Sequence, residues 1–168
     1  MGKNKLSENW ADVLHDPSNK QEMFTFLSNK IATVDYPEEE DIIITSGVTA
    51  IVRGTDRSMA PSDHEEADTR LLIHLQDALQ NGCTNCLVRT VDTDVVVILI
   101  GKLHHLITLC QDVSIWVAFG TGNNFTYHHI NDIYEELGRE KSLALPIFHS
   151  FMGCDTTSAF FRRGKKSA

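Results

Sequence analysis

Three acidic points in this chain have the residue types and settings of ligands for a hard divalent cation. The first is Asp68, within His64-Glu65-Glu66-Ala67-Asp68-Thr69-Arg70. Leu71, Leu72, Leu75, Ala78 and Leu79 follow at helical spacing, and stepping back three and four residues from Leu71 and Leu72 lands on Asp68. Its carboxylate therefore continues an apolar stripe, where it is costly unless paired, hydrogen-bonded or bound to a cation. The second point is Asp92-Thr93-Asp94, which follows the strand-like run Cys86–Val91. In open α/β sheets ligands collect beyond the carboxyl ends of strands. The third is Asp155, in Gly153-Cys154-Asp155. Carboxylates that converge from three such points suit Mg²⁺ or Mn²⁺.

Each acid also has a plainer use. Ser62 and Glu65 form an S-x-x-E capping box, and Asp63, Glu65 and Glu66 complement a helix N-terminus. That account is weaker for Asp68, which lies beyond the first turn of the helix read from Ser62. Asp92 or Asp94 can cap the segment Val95–His105. A cap needs one Asp, whereas two acids with a small spacer make a ligand pair, and the two roles can coexist. The histidine pairs His104-His105 and His128-His129 are poor joint ligands, because neighbours on a strand face opposite ways. Cys83-Thr84-Asn85-Cys86 is a lone C-x-x-C ahead of a strand, so it reads as reduced structural thiols and not as a zinc ribbon or a thioredoxin-like site. A Cys154–His149 nucleophile has no visible third group to orient it. No Walker-type or G-x-G-x-x-G loop is present.

The chain of 168 residues suits one compact domain. Within it we distinguish 1–61, an N-terminal helix, acidic linker and hairpin, from 62–168, the part that carries the chemistry. A formal charge of −8 argues against a surface that coats nucleic acid throughout. The charge is uneven, with acid in Glu38–Asp41 and Asp63–Asp68 and base in Arg162-Arg163-Gly164-Lys165-Lys166. A local basic patch beside an acidic metal site suits phosphate handling, although a solvated tail gives the same pattern. No apolar run is long enough to cross a membrane, and the first residues lack a signal peptide's apolar segment. A nuclear or cytoplasmic protein, not secreted, is the expectation, and a monomer.

The positioning elements follow in order. A polar arm leads to a helix starting at Asp16-Pro17-Ser18-Asn19, with Met23, Phe24, Phe26, Leu27 and Ile31 on its apolar face. Asp41–Thr45 and Val48–Val52 read as a hairpin. The helix that carries Asp68 stops at Asn81-Gly82. Cys86–Val91 is a strand, Val95–His105 a helix, Ser114–Phe119 a strand and Phe125–His129 a short return strand. Asn131–Leu137 is a helix stopped by Gly138. Leu143–Met152 is another, with Pro146 in its first turn.

These motifs resemble the flap-endonuclease branch of PIN-like nucleases. Glu66-Ala67-Asp68 is similar to that family's E-A-E/D element, Thr90-Val91-Asp92-Thr93-Asp94 to its T-x-D-x-D strand end, and Gly153-Cys154-Asp155 to its G-S-D element. Order and intervals agree, and the likeness covers about Ser62–Lys166. The resemblance implies a PIN-like α/β fold, a mainly parallel central sheet flanked by helices. It implies Glu66, Asp68, Asp92, Asp94 and Asp155 as the catalytic metal ligands, holding two Mg²⁺ or Mn²⁺ ions. It implies cleavage of phosphodiester bonds in DNA or RNA; Arg162, Arg163, Lys165 and Lys166, read from charge and not from the resemblance, are the expected nucleic-acid contacts, with a solvated tail the plainer reading of the same run. The family normally begins with an apolar strand that ends in an Asp, and no such strand precedes Asp35. The expectation is therefore an incomplete copy. The alternative is an inactive PIN-like module that binds nucleic acid or protein.

Overall fold

The computed structural model describes residues 10–35, 41–46, 49–54 and 67–152, with backbone alone at 11–12, 46, 49 and 67–69. The chain divides into two compact units, Met1–His64 and Glu65–Ala168.

In the first unit, α1 (Trp10–His15) precedes α2 (Pro17–Thr33). A helical turn thus stands where the sequence suggested only a polar arm. The break between the helices is chemical: the residue before a proline is pushed out of the helical region, and Asp16 is extended at φ −81°, ψ 121°. Its carboxylate accepts from the Ser18 N–H at 2.8 Å and caps α2. The Asn19 amide donates to the Val13 carbonyl of α1 at 2.9 Å. Strands β1 (Ile42–Ser46) and β2 (Thr49–Arg53) pair antiparallel, from Ile42 opposite Arg53 to Ser46 opposite Thr49. The expected hairpin is therefore present.

The second unit is built around one β–α–β crossover. Helix α3 (Ala67–Gln80) leads to β3 (Asn85–Thr90), α4 (Thr93–Leu109) and β4 (Ser114–Phe119). Strands β3 and β4 pair in parallel, from Asn85 beside Ser114 to Thr90 beside Phe119. A short turn then returns the chain as β5 (Thr126–His129), antiparallel to β4. The expected α/β class holds. The sheet, ordered β3-β4-β5, is mixed and small where a mainly parallel one was expected. The reason is connection length, since a few residues can join antiparallel neighbours but not parallel ones.

The core is the apolar spine of α4 set against the sheet. Leu99, Leu103 and Leu106 are fully buried with Ile115 and Val117 of β4, and Leu75 and Leu79 of α3 join them. Asn81-Gly82 ends α3 as its composition suggested. Gly82 sits at φ +90°, its N–H reaches the Leu79 carbonyl, and the Cys83 N–H reaches the Ala78 carbonyl. That pair of bonds is the Schellman arrangement a glycine permits.

Helices α5 (Ile130–Leu137) and α6 (Arg139–Phe151) complete the unit. Pro146 lies in the interior of α6, not in its first turn, because the helix begins at Arg139 directly after Gly138. Proline offers no N–H to the carbonyl four residues back. Its ring is seated against Gly101 of α4, where an added Cβ would stand 2.4 Å from the Pro146 Cγ and 2.9 Å from its Cδ. The two helices therefore cross at a distance that only glycine allows.

Candidate metal centre at the start of helix α4

The residues between β3 and α4 form a relay of local hydrogen bonds. The Thr90 hydroxyl accepts from the Asp92 N–H at 3.0 Å. Asp92, extended at φ −98°, ψ 125°, is the N-cap of α4, and its Oδ1 accepts from the Asp94 N–H at 2.8 Å. The T-x-D-x-D spacing is thus used twice over, because Thr and Asp side chains reach the amide two residues on. Asp94 follows in the first turn, where a carboxylate complements the positive end of the helix.

The carboxylate of Asp94 meets a side chain from far along the chain. His149, near the C-terminal end of α6, brings its Nε2 to 2.6 Å from Asp94 Oδ1. The two side chains retain 13% and 21% of their surface, so the contact is largely shielded from water. Since Asp94 meets His149 while Gly101 meets Pro146 and Ser142, α4 and α6 run antiparallel. In the sequence His149 stands out only beside Cys154, and Asp94 is not indicated as its partner. A signal was present in helical phase: Ser142, Leu145 and His149 recur at three and four residues, with Ser142 fully buried and Leu145 packed on the core.

The other expected ligands lie beyond these atoms. Asp68 falls in the first turn of α3, with its backbone alone described. Glu66, Asp155 and the basic residues Arg162, Arg163, Lys165 and Lys166 lie outside the described residues. Their convergence with Asp92 and Asp94 remains an expectation. Among the described residues no three His, Cys, Asp or Glu side chains form a metal-holding group.

Asp92 and Asp94 are of the donor type a hard cation takes, but among the described residues two carboxylates alone do not make up a metal's ligand set. Asp92 and Asp94 each commit one oxygen, Oδ1, to a bond within the fold. Among the described residues no hydrogen bond engages the second oxygen of either. Two carboxylates two residues apart thus each keep an acceptor for Mg²⁺ or Mn²⁺, which take oxygen ligands. The pair sits at the carboxyl end of a parallel strand, the position that collects ligands in α/β sheets.

The remaining candidates are structural. His129 is engaged on both ring nitrogens, with Asp132 at 2.8 Å and the Ser114 hydroxyl at 3.2 Å, and it stacks on Trp116 at 4.5 Å. His128, turned to the other face, meets Thr126 at 3.0 Å. The Cys83 and Cys86 sulfurs stand 3.8 Å apart as free thiols. Burial, helped by the hydrogen bond with Cys83, pushes the Cys86 thiol up to about 12, which keeps it protonated and unreactive at neutral pH. An open groove of about 410 Å³ between α3 and β3 is lined mainly by apolar residues, Leu71, Leu75 and Leu87 among them, and by none of the acids.

Comparison with known proteins adds no relative: no protein-family model, no curated protein and no solved structure matches the chain.

Proposed function

We propose that this chain is a metal-dependent nuclease-like domain, PIN-like in fold, acting on phosphodiester bonds of DNA or RNA. The observation that carries the reading is the junction of β3 and α4. There Asp92 and Asp94 stand at a parallel strand's carboxyl end, each with an oxygen uncommitted among the described residues. By the resemblance, Glu66, Asp68 and Asp155 would complete the set. When bound, a pair of Mg²⁺ or Mn²⁺ ions roughly 3.5–4 Å apart would supply an activated water and stabilise the leaving oxygen. The chain's own part is to hold the carboxylates in place and to offer the phosphate a positive surface, for which the Arg162–Lys166 run is the candidate.

Catalysis also needs a held and oriented phosphate, and by the resemblance it would need the family's first strand and its Asp, which the residues before Asp35 are not expected to supply. The edge of β3 away from β4 is unpaired among the described residues, so a further strand could add there. We therefore expect residues 1–168 to cleave labelled DNA or RNA weakly or not at all under Mn²⁺. A longer chain that supplies such a strand should cleave, and Asp155→Ala in it should remove most activity while leaving folding largely intact. One observation favours the second reading, an inactive binding module: Asp92 already serves as a helix cap. Salt-dependent binding by the longer chain without any cleavage would establish that module instead. Neither binding nor cleavage would confine the resemblance to fold.

A further inference from the structure

The turn between α3 and β3 holds two thiols that the metal chemistry proposed above does not use. Cys83 follows the Gly82 turn and is exposed, while Cys86 is the second residue of β3 and half-buried. Their sulfurs stand 3.8 Å apart, and a disulfide needs about 2.05 Å. The fold already holds both ends of this short segment. The Cys83 N–H reaches the Ala78 carbonyl at 3.0 Å, and Cys86 is paired beside Ile115 of β4. The two thiols differ in access. Cys83 is open to a small molecule from solvent. Cys86 is pushed up to about 12 by burial, helped by the hydrogen bond with Cys83 and by the nearby thiols of Cys83 and Cys110, so it does not open an exchange itself. Strongly oxidising pairs owe their potential to a stabilised reduced form. A thiol that ionises so late gives the reduced form no such stabilisation, which favours the disulfide.

We infer that Cys83 and Cys86 form a thiol–disulfide exchange site for small disulfides of the glutathione class, with Cys83 as the entering thiol and Cys86 as the closing one. In the first step Cys83 gives its proton to water and its thiolate attacks one sulfur of oxidised glutathione. A bond forms between Cys83 Sγ and that sulfur, the sulfur–sulfur bond of glutathione breaks, and one glutathione thiolate leaves. In the second step Cys86 gives its proton to water, its sulfur attacks Cys83 Sγ, and the second glutathione thiolate leaves. Both leaving thiolates take up a proton. Two cysteines are oxidised to one disulfide, and one oxidised glutathione is reduced to two thiols. The second step is the slow one, because little of Cys86 is thiolate. A thiolate that ionises late is nevertheless the stronger nucleophile, and its target is the neighbouring sulfur. Closure gives up the hydrogen bond from the Cys83 thiol to the Asn85 carbonyl at 3.3 Å, in which sulfur is only a weak donor. Where glutathione keeps thiols reduced, disulfides of this kind are usually transient and redox-sensing.

The test equilibrates the full chain with mixtures of reduced and oxidised glutathione in mildly alkaline buffer, quenches with acid, and reads intact mass and peptide maps. The wild-type chain should lose two hydrogens and carry a disulfide between Cys83 and Cys86. Cys86→Ser should stop after the first step, with one glutathione on Cys83. Cys83→Ser should carry no glutathione on Cys86, and Cys110→Ser should behave as the wild type. Circular dichroism of each variant checks its fold, and Cys86→Ala replaces the serine variant where that one does not fold. The folded wild-type chain should also become half oxidised at a smaller share of oxidised glutathione than the same chain unfolded in urea. A glutathione that stays on Cys83 of the wild type overturns the inference, as does pairing of Cys83 with Cys110 or Cys154. Equal or easier oxidation of the unfolded chain overturns it too, because the native contact would then contribute nothing.

Discussion

Helices α2 and α4 are each 17 residues long, and each carries apolar residues at helical spacing, but they use them differently. In α4, Leu99, Leu103 and Leu106 are completely buried, covered by the sheet and by α3, α5 and α6. In α2, Phe24, Phe26, Leu27 and Ile31 stay between 38% and 60% exposed. Periodicity tells which residues share a face. It does not tell whether another element arrives to cover that face, and burial, not spacing, supplies the stability.

The largest effect should separate the two helices directly. Leu103→Ala in α4 should cost about 2–5 kcal/mol, since it removes a fully buried side chain and leaves a cavity. Leu27→Ala in α2 should stay within about 0.5 kcal/mol. Urea unfolding followed by the fluorescence of Trp116, in a Trp10→Phe background, reads the first. Far-ultraviolet circular dichroism reads both. Equal losses would mean that α2 has a covering partner in solution.

A second effect probes how closely α4 is packed. Gly101→Ala should cost about 1–3 kcal/mol, because its Cβ would overlap the Pro146 ring. Adding Pro146→Ala should recover much of that loss, a coupling that a double-mutant cycle measures. Additive losses would remove the crossing as a constraint.

A third effect concerns the cap. Asp92→Ala should lower stability by about 1 kcal/mol, whereas Asp92→Asn should be nearly neutral, since Asn caps as well as Asp. Denaturant midpoints of the two variants decide this. They also show that Asn variants at this junction report on charge and ligation, not on folding.

A further effect is a pH dependence. Burial raises the Cys86 thiol from 9.0 to about 12 in the folded chain. Below about pH 9 both states keep the proton and the contribution is intact. Between about 9 and 12 the unfolded chain releases it first, so stability falls as pH rises. Cys86→Ala should show a flatter decline in urea midpoint over that window. An unchanged slope would mean that the thiol is better solvated than its place beside Cys83 implies.

What the sequence made legible was local chemistry. Asp16-Pro17 announced a helix start and Asn81-Gly82 a helix stop, because capping and left-handed turns depend on the residues at the boundary itself. Ser114–Phe119 read correctly as a strand from its β-branched and aromatic content. Contacts between distant segments were not legible. The Asn131 side chain accepts from the Ile115 N–H at 3.0 Å and donates to the Val113 carbonyl at 2.8 Å, completing the edge of β4 where β5 is too short to reach. Gly101 against Pro146 and Asp94 against His149 belong to the same class. Each depends on how two helices or a helix and a strand meet; helical phase turns His149 inward but does not say which residue it will meet. Of the candidate site, the Asp92–Asp94 pair was legible as a strand-end motif, and its histidine was not.

The central claim is that this strand end binds a divalent cation, and thermal melting in millimolar Mn²⁺ tests it most directly. A ligand that binds only the folded state stabilises it by mass action, about 2.7 kcal/mol when present at about 100 times its dissociation constant. The wild-type chain should melt at a higher temperature with Mn²⁺ than without. The Asp92→Asn, Asp94→Asn double variant should fold but show no such rise. A wild-type melting temperature unmoved by Mn²⁺, or an equal rise in the double variant, would contradict the account and leave Asp92 and Asp94 as helix-capping residues.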